Sequence, residues 1–367
     1  MKNTKYFIGL DVHKEKTSYC VRDKLGNIPL ENKTATLYTE LEPQLKPYLA
    51  TSLIGLEAST CYYTLYQAFL KKGYNIKVAN TIQLRQLIAK NDKLDAKRLS
   101  EMLRLGTFPS SYIPEEKIQH LRNLVQMRHA LMQEKVRCNN RIQTLLDKNG
   151  VIMPPQKAFS KKWKYALMQY IGSGDVSIEL WYEYDHYIYL EKKNEQVDQE
   201  LIGYTRKHWA KEYQLIRSIT GFGILLPCYI IAFVHPIERF LSNRKLRRYA
   251  GVIPVTKESG DYTSKGKIPK SSSKALLRWA LVQAANTIGK TNTNLGRYYR
   301  RKKKQKKNTG TAKIAVASTL VDIIYKVLTT KKPYTPKADC VLNNWGLHIC
   351  VRWWVSAVLL SRGLCTL

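Results

Sequence analysis

Acidic residues are scarce in this sequence of 367 residues: 28 Asp and Glu stand against 61 Lys and Arg, a formal net charge of +33. An excess of that size repels itself in a compact chain unless polyanions balance it, so nucleic acid is the first partner to consider and an anionic membrane surface the second. A small acidic metabolite needs no such charge. The cysteines (Cys20, Cys61, Cys138, Cys228, Cys340, Cys350, Cys365) include no Cys-x-x-Cys pair and no companion histidines at zinc spacing, which reads as reduced, cytosolic thiols rather than a zinc module. The opening MKNTKYFIGLDVHKEK has no extended apolar stretch and no small-residue cleavage site, so secretion is not expected. A mean hydropathy of −0.36 argues against an integral membrane protein. No internal repeat is visible. What is present is a hydrophobic content of 44% with 24 Tyr and 7 Trp, globular rather than disordered, and length enough for about two or three domains with their own cores.

The charge is unevenly spread. Residues 241–337 hold 24 Lys or Arg and only Glu258, Asp261 and Asp322 as acids, so +21 of the +33 lies there, whereas residues 1–110 carry only +7. The contrast predicts two regions with different tasks. Between them, residues 115–150 run without Gly or Pro until Gly150, and Leu124, Leu131, Cys138 and Leu145 recur every seven residues, which predicts a long helix with a coiled-coil-like seam. A second row, Leu121, Arg128, Lys135 and Ile142, is polar at two positions, so a helical hairpin packed on its neighbours stands beside the coiled coil as a reading. Met153-Pro154-Pro155 ends the helix, and after a Tyr/Trp-rich segment residues 190–219 read as the returning helix. The run RYYRRKKKQKK (297–307) reads as a solvated, partly disordered loop that can still touch phosphates.

The first hundred residues alternate strand and helix. KYFIGLDVHK (5–14), SYCVRD (18–23) and the Gly26-Asn27 turn predict two or three antiparallel strands. A helix at about 38–50, a strand SLIGLEAST (52–60), a helix from about 60 to 72, a strand YNIKVAN (74–80) and a helix beginning near 91 follow. That order is what an RNase H-like α/β sheet gives. Asp11 and Glu57 close apolar strands, and Asp92 and Asp95 stand three apart, on one face if the segment is helical. Carboxylates at the ends of adjacent strands disfavour joint ionisation unless a cation sits between them. Four such oxygen donors suit Mg²⁺, which in pairs clamps both oxygens of a phosphodiester exchange. The plainer reading of each is an ordinary turn aspartate, a dipole-favoured helix start or a lysine-paired glutamate; the ordered set of all four favours the metal.

In the second half, Gly221-Phe222-Gly223 sits between helical segments, either as a helix-hairpin-helix whose backbone N–H groups hold a phosphate or as an ordinary helix turn. Residues 240–287 then give a basic helix, a Gly/Pro loop, a Ser- and Lys-rich loop and a second basic helix. Its exposed hydroxyls beside positive charge are candidates for attack on phosphate. Chemistry alone does not rank Ser259, Ser264 and Ser271 to Ser273.

These motifs in this order, GLDVHK (9–14), GLEAS (55–59), KNDKLDAKRL (90–99), ITGFG (219–223), the stretch from Phe240 to Pro254 and ESG…SKGKIPK…LLRWAL (258–281), resemble the DEDD transposases of bacterial insertion sequences, to which Piv-type DNA invertases are related. The resemblance covers residues from about 5 to 335. It implies an α/β plus α fold: an RNase H-like (RuvC-like) metal-binding domain at 1–110, a helical coiled-coil domain at 111–214, and a mostly helical, basic transposase domain at 215–337. Residues 338–367 match nothing in that pattern, and their apolar stretch is short for a bilayer span and interrupted by Arg352.

Residue by residue, the resemblance puts the acidic tetrad on Asp11, Glu57, Asp92 and Asp95, binding Mg²⁺ with Mn²⁺ as a substitute, and the nucleophile on Ser259. It implies strand exchange between donor and target double-stranded DNA, guided by a structured (bridge) RNA from the element itself. Dimers assembling into tetramers in the bacterial cytoplasm, at the nucleoid, and no membrane association complete the picture. Arg244, Lys245, Arg247, Arg248, Lys265, Lys267, Lys270, Arg300, Arg301, Lys302 and Lys303 are the expected nucleic-acid contacts. Ser271-Ser272-Ser273 stands where relatives have a small glycine-containing turn. A metal-dependent junction nuclease or a DNA invertase without guide RNA is the alternative enzyme, and a nucleic-acid packaging protein the non-enzymatic one.

Overall fold

The computed structural model describes residues 4–59, 61–87, 95–174, 177–253, 258–259, 262–263, 274–306 and 308–336. The chain divides into two compact units, Met1–Glu115 and Glu116–Leu367.

In the first unit, β1 (Tyr6–Val12), β2 (Lys16–Asp23) and β3 (Leu30–Ala35) form an antiparallel meander. After α1 (Tyr38–Leu49), β4 (Ser52–Glu57) joins the other side of β1 in parallel; after α2 (Tyr62–Lys71), β5 (Ile76–Ala79) adds in parallel to β4. The five-stranded order is therefore β3-β2-β1-β4-β5. α3 (Thr81–Leu87) and α4 (Ala96–Arg104) follow. The two-residue period of a strand decides which helix meets which face. Ile8, Leu10 and Val12 of β1, with Ile54 and Leu56 of β4, bury against Leu41, Leu45 and Leu49 of α1 and Leu65 and Phe69 of α2. The intervening residues of β1 and β4 face α4. Because both faces are covered, β4 is apolar nearly throughout.

The second unit is helical: α5 (Glu116–Lys148), α6 (Lys161–Gly172), α7 (Ile178–Arg217), α8 (Leu226–Val234) and α9 (Asn243–Tyr249), then a small ladder of β6 (Glu258–Ser259) and β7 (Tyr262–Thr263), then α10 (Ala275–Ile288), α11 (Asn294–Lys306) and α12 (Thr309–Thr330). The starts are legible: Ser160, Ser177, Ser242 and Asn308 each accept a hydrogen bond from a backbone N–H of the first turn they precede. α5 and α7 run antiparallel. Arg128 Nε meets Asp198 at 2.9 Å, Lys135 Nζ meets Glu191 at 2.8 Å and Arg141 Nε meets Glu183 at 2.6 Å. The two polar positions of the second heptad row are thus partners for acids of the returning helix, beside buried Leu121, Leu124, Cys138 and Ile142. That returning helix is longer than the sequence predicts: capped by Ser177 it takes in the Tyr/Trp-rich residues, and it breaks its helical geometry once, at Trp209 (φ −137°, ψ 47°).

The hairpin serves two cores. Cys138, Ile142 and Leu146 of α5 pack with Trp163, Leu167, Leu180, Tyr187 and Leu190. Ile118, Leu121, Leu124 and Val125, at the other end of α5, join Leu201, Trp209 and the helices α8 to α12 in a larger cluster. The α/β plus α class expected from the sequence is what the two units show. Among the described residues no helix is long and apolar enough to cross a membrane.

Candidate functional site

The sequence writes Gly-Leu-acid twice, at 9–11 and 55–57, and the sheet aligns the copies. Gly9 pairs with Gly55 and Leu10 with Leu56 in the parallel β1–β4 ladder; continuing that register by one residue sets Asp11 beside Glu57, on strands spaced about 4.8 Å apart. The glycines explain why α4 reaches the same face. A Cβ on Gly9 would stand 2.0 Å from the Ala96 carbonyl oxygen, and one on Gly55 would stand 2.8 Å from the Leu103 side chain. The helix lies where those side chains are missing, and Asp95, the residue that starts it, comes to the face bearing Asp11 and Glu57.

Asp11 and Asp95 line one cavity of about 330 Å³, with Ser18, Tyr19, Lys33 and Lys97. Glu57 is outside that lining. The Asp11 carboxylate lies 3.2 Å from His13 Nε2, and Asp95 Oδ1 accepts from the Arg98 N–H at 2.8 Å. Lys97 Nζ meets Glu31 at 3.0 Å on the cavity wall. The hydrogen bond from Lys97 to Glu31, and then the Glu31 charge, hold the Lys97 ammonium above its usual range.

One expectation is corrected. A helix starting near 91 would put Asp92 and Asp95 on one helical face; α4 starts at Ala96, and Asp95 is its extended cap (φ −136°, ψ 173°). An aspartate side chain competes with helix propagation by bonding the first turn's N–H groups, which is why it ends up before the helix. Asp92 lies outside the described residues. Among the described residues no group of three or more His, Cys, Asp or Glu is close enough to hold a metal ion; the donors that do share the face are carboxylate oxygens, the chemistry Mg²⁺ takes.

Sequence reasoning missed the rest of this row. Asp11 lies opposite Ser18 on β2, and Ser18 opposite Lys33 on β3, so Glu57, Asp11, Ser18 and Lys33 run across four strands. The signal was available only through strand register, which needs the turn lengths.

In the second unit, Arg244, Lys245 and Arg248 are exposed on α9. Arg247 instead turns to α12, its Nε 3.2 Å from Asp322, which also accepts from Asn243 at 2.9 Å. Residues 297–306 of the RYYRRKKKQKK run are helical rather than a loop and form most of α11, Lys307 lying outside the described residues. Lys and Arg are good helix formers, and the helix is fastened by Leu295, Tyr298 and Tyr299 against the core and by Gly296, where a Cβ would stand 2.1 Å from the Thr291 carbonyl. Arg300, Arg301 and Lys303 are exposed and Lys302 half-buried; Arg301 and Lys302 approach the Tyr298 ring at 5.5 and 5.7 Å.

Gly221 (φ +95°) makes the turn between α7 and α8 and presses on α10, where a Cβ would meet the Ile288 side chain at 2.7 Å. Ser259 belongs to β6 and pairs with Tyr262 of β7. Lys265, Lys267, Lys270 and Ser271 to Ser273 lie outside the described residues.

Comparison with known proteins adds two family matches. A family model of DEDD type described as Transposase matches residues 8–150, and one described as Transposase IS116/IS110/IS902 family matches residues 213–300. The transposase for insertion sequence element IS1328 of Yersinia enterocolitica is 24% identical over 285 residues, 76% of this chain and 82% of that protein. A Sinorhizobium fredii protein, y4qE, provisionally named a transposase, is 23% identical over 291 residues, 77% of this chain and 71% of its own length. The 42 kDa protein of insertion element IS900 from Mycobacterium paratuberculosis is 28% identical over 132 residues, 36% of this chain and 32% of that protein.

Proposed function

Because the chain belongs to the IS116/IS110/IS902 insertion-sequence transposases, we propose that it is an RNA-guided DNA recombinase in which Ser259 is the nucleophile and Asp11, Glu57, Asp92 and Asp95 hold Mg²⁺. The observation that carries the metal half is the aligned pair of Gly-Leu-acid segments, with Asp95 brought to their face by α4. Three antiparallel strands followed by two parallel ones support an RNase H-like reading of this unit, and the antiparallel α5–α7 pair supports a coiled-coil reading of residues 111–214. The guide RNA, the dimer-to-tetramer assembly, the division at 110, 214 and 337, and residence at the nucleoid rest on the family resemblance, and the charge of +33 supports them.

When bound, Mg²⁺ or Mn²⁺ supplies positive charge to the oxygens of the exchanging phosphodiester. The protein's own part is then as follows. The Ser259 oxygen bonds to phosphorus while one phosphorus–sugar oxygen bond breaks, and the serine proton ends on the departing sugar oxygen. A sugar hydroxyl from the other DNA attacks the phosphoserine, restores a phosphodiester and returns the proton to serine. The step is a transfer, so bond energy is conserved and water has to be kept out. Lys33 and Lys97, on the wall of the Asp11–Asp95 cavity, neutralise the phosphate as it approaches. Arg244, Lys245, Arg248, Arg300, Arg301, Lys302 and Lys303 grip backbone rather than bases, consistent with base pairing to RNA doing the reading.

The test is a donor–target plasmid assay with the wild type, Asp11→Ala and Ser259→Ala. Recombination is lost in both variants, and a covalent protein–DNA adduct trapped with the wild type disappears in Ser259→Ala. Full activity of either variant overturns the reading. Metal-dependent nicking that survives Ser259→Ala would instead assign the junction-nuclease alternative, since the carboxylate row is built without any contribution from the serine.

A further inference from the structure

We propose that the cavity between α5, α8 and α10 takes up one unstacked nucleobase of a bound nucleic acid, a capture that rests on the nucleic-acid partner of the reading above. The cavity measures about 730 Å³, within the range of small-ligand sites. Its walls are two helical rows and a turn. Trp279, Gln283 and Thr287 stand four residues apart on α10, and Arg128 and Met132 four apart on α5, so each row shows one helix face to the cavity. The third wall is the turn from Gly221 to Leu226 that enters α8, with Tyr229 further into that helix. Ile224, 53% exposed, belongs to the same lining.

The lining selects a base over a bare phosphate. Arg128, the cation among the described lining residues, is already paired with Asp198 at 2.9 Å. Much of the rest is apolar or aromatic, with Met132, Phe222, Leu226, Tyr229 and Trp279 among it. Trp279 lies 5.2 Å from Tyr229 between ring centroids and is only half-buried, so its ring keeps surface for a flat partner, and stacking of this kind accepts any base. Gln283 follows about 6 Å along the helix. Its Oε1 accepts from Asn286 at 3.3 Å, which leaves the amide N–H groups to meet a base edge. The Tyr229 hydroxyl is buried and makes no hydrogen bond of good geometry, although the Arg128 guanidinium is beside it. A buried hydroxyl in that state costs free energy that an entering polar group restores. At the turn, α8 starts with no side-chain cap, and a Cβ on Gly223 would meet open space, so the backbone N–H groups there are open to the phosphodiester next to the captured base. The exposed Ile224 has the character of the apolar wedges that unstack a base step, the event that frees a base for a pocket.

The probes are short duplexes, fully paired or carrying one unpaired nucleotide with either deoxyribose or ribose, applied to the full chain. The wild type binds the unpaired form about tenfold more tightly than the paired one. Trp279→Leu and Gln283→Leu each lose that preference while keeping their affinity for the paired duplex; Trp181→Leu, which removes an exposed ring outside the cavity, keeps it. A further measurement needs no variant. With 5-iodouracil at the unpaired position, light cross-links the base to the protein, and mass spectrometry finds it on a peptide bearing Phe222, Tyr229 or Trp279. A preference for one sugar supports the pocket and tells which kind of strand fills it. Equal affinity of the wild type for paired and unpaired forms, a preference unchanged in both cavity variants, or cross-links only outside the lining overturns the pocket. Base capture by a protein that forms no Ser259 adduct strikes only the recombinase reading, and adduct formation without base capture strikes only the pocket.

Discussion

Gly9 and Gly55 stand opposite each other on the parallel strands β1 and β4, and a methyl group on either would enter space already filled from the α4 side. At Gly9 the obstacle is the Ala96 backbone carbonyl, at 2.0 Å; at Gly55 it is the ends of the Leu103 and Phe108 side chains. Gly9→Ala therefore has to move the helix and is expected to cost about 1–3 kcal/mol, with Gly55→Ala at the lower end of that range. Urea unfolding monitored by circular dichroism measures both. Gly9→Ala also displaces Asp95 and lowers strand transfer at temperatures where the protein is still folded.

Asp95 has two duties that substitution separates. Asparagine caps a helix about as well as aspartate, so Asp95→Asn leaves stability within about 0.5 kcal/mol, whereas Asp95→Ala costs about 1 kcal/mol. On the proposed metal role both variants lose a carboxylate ligand, and each is then expected to drop strand transfer by more than about a hundredfold, beyond the loss typical of residues that merely orient a ligand. Parallel melting curves and plasmid assays, repeated over a Mg²⁺ titration, check the pair.

The charges of α11 are expected to act through phosphate alone. Replacing Arg300, Arg301, Lys302 and Lys303 together by glutamine, itself a good helix former, keeps the far-ultraviolet dichroism. It also weakens duplex binding for all sequences alike, with the salt slope shallower by about three or four units. Fluorescence anisotropy at several salt concentrations on two unrelated duplexes measures this; a sequence-dependent loss would point to base contact.

Glu191 gives the helical unit an acid-sensitive joint. Burial alone would raise its carboxyl, but hydrogen bonds from Lys135, Lys164 and Tyr187 outweigh it and hold the group down at about 2. A folded value below the unfolded one means the stabilisation is complete above about pH 5 and disappears as the pH falls toward 2. With solvent screening, about 1–2 kcal/mol is at stake. Glu191→Gln should be less stable than the wild type by that amount at pH 7 and indistinguishable from it near pH 2, as read by urea midpoints across the range.

Much of the α/β unit was legible because its signals are local. Alternation in β1, the apolar run of β4 and the Gly-Leu-acid repeats each occupy a few residues, and two-residue periodicity assigns their faces. The start of α4 was not legible, because an Asp-x-x-Asp segment reads equally as a first helical turn or as a cap, and only the Gly9–Ala96 contact decides. For α11 the charge run hid its helical propensity: eight basic residues in eleven positions look solvated until Leu295, Tyr298 and Tyr299 are seen to hold one side down. Ser259 was ranked above its neighbours by family resemblance, not by chemistry, and backbone pairing with Tyr262 is what is now known of it. The start of α7 was not legible because the Tyr/Trp-rich segment carries no clear helical period; Ser177 caps the helix ahead of it, and of its aromatics Tyr187 is buried while Trp181, Tyr182 and Tyr189 are exposed.

The polar pairs Arg128–Asp198 and Lys135–Glu191 lie along the α5–α7 hairpin where one apolar cluster gives way to the other. Ion pairs carry much of the joining of the helices there, with Leu131 and Tyr187 as the apolar groups beside them. The tip, from Cys138 to Leu190, is a separate melting unit carried on the same two rods as the base. Hydrogen exchange is expected to show the tip opening at a lower free energy than the base.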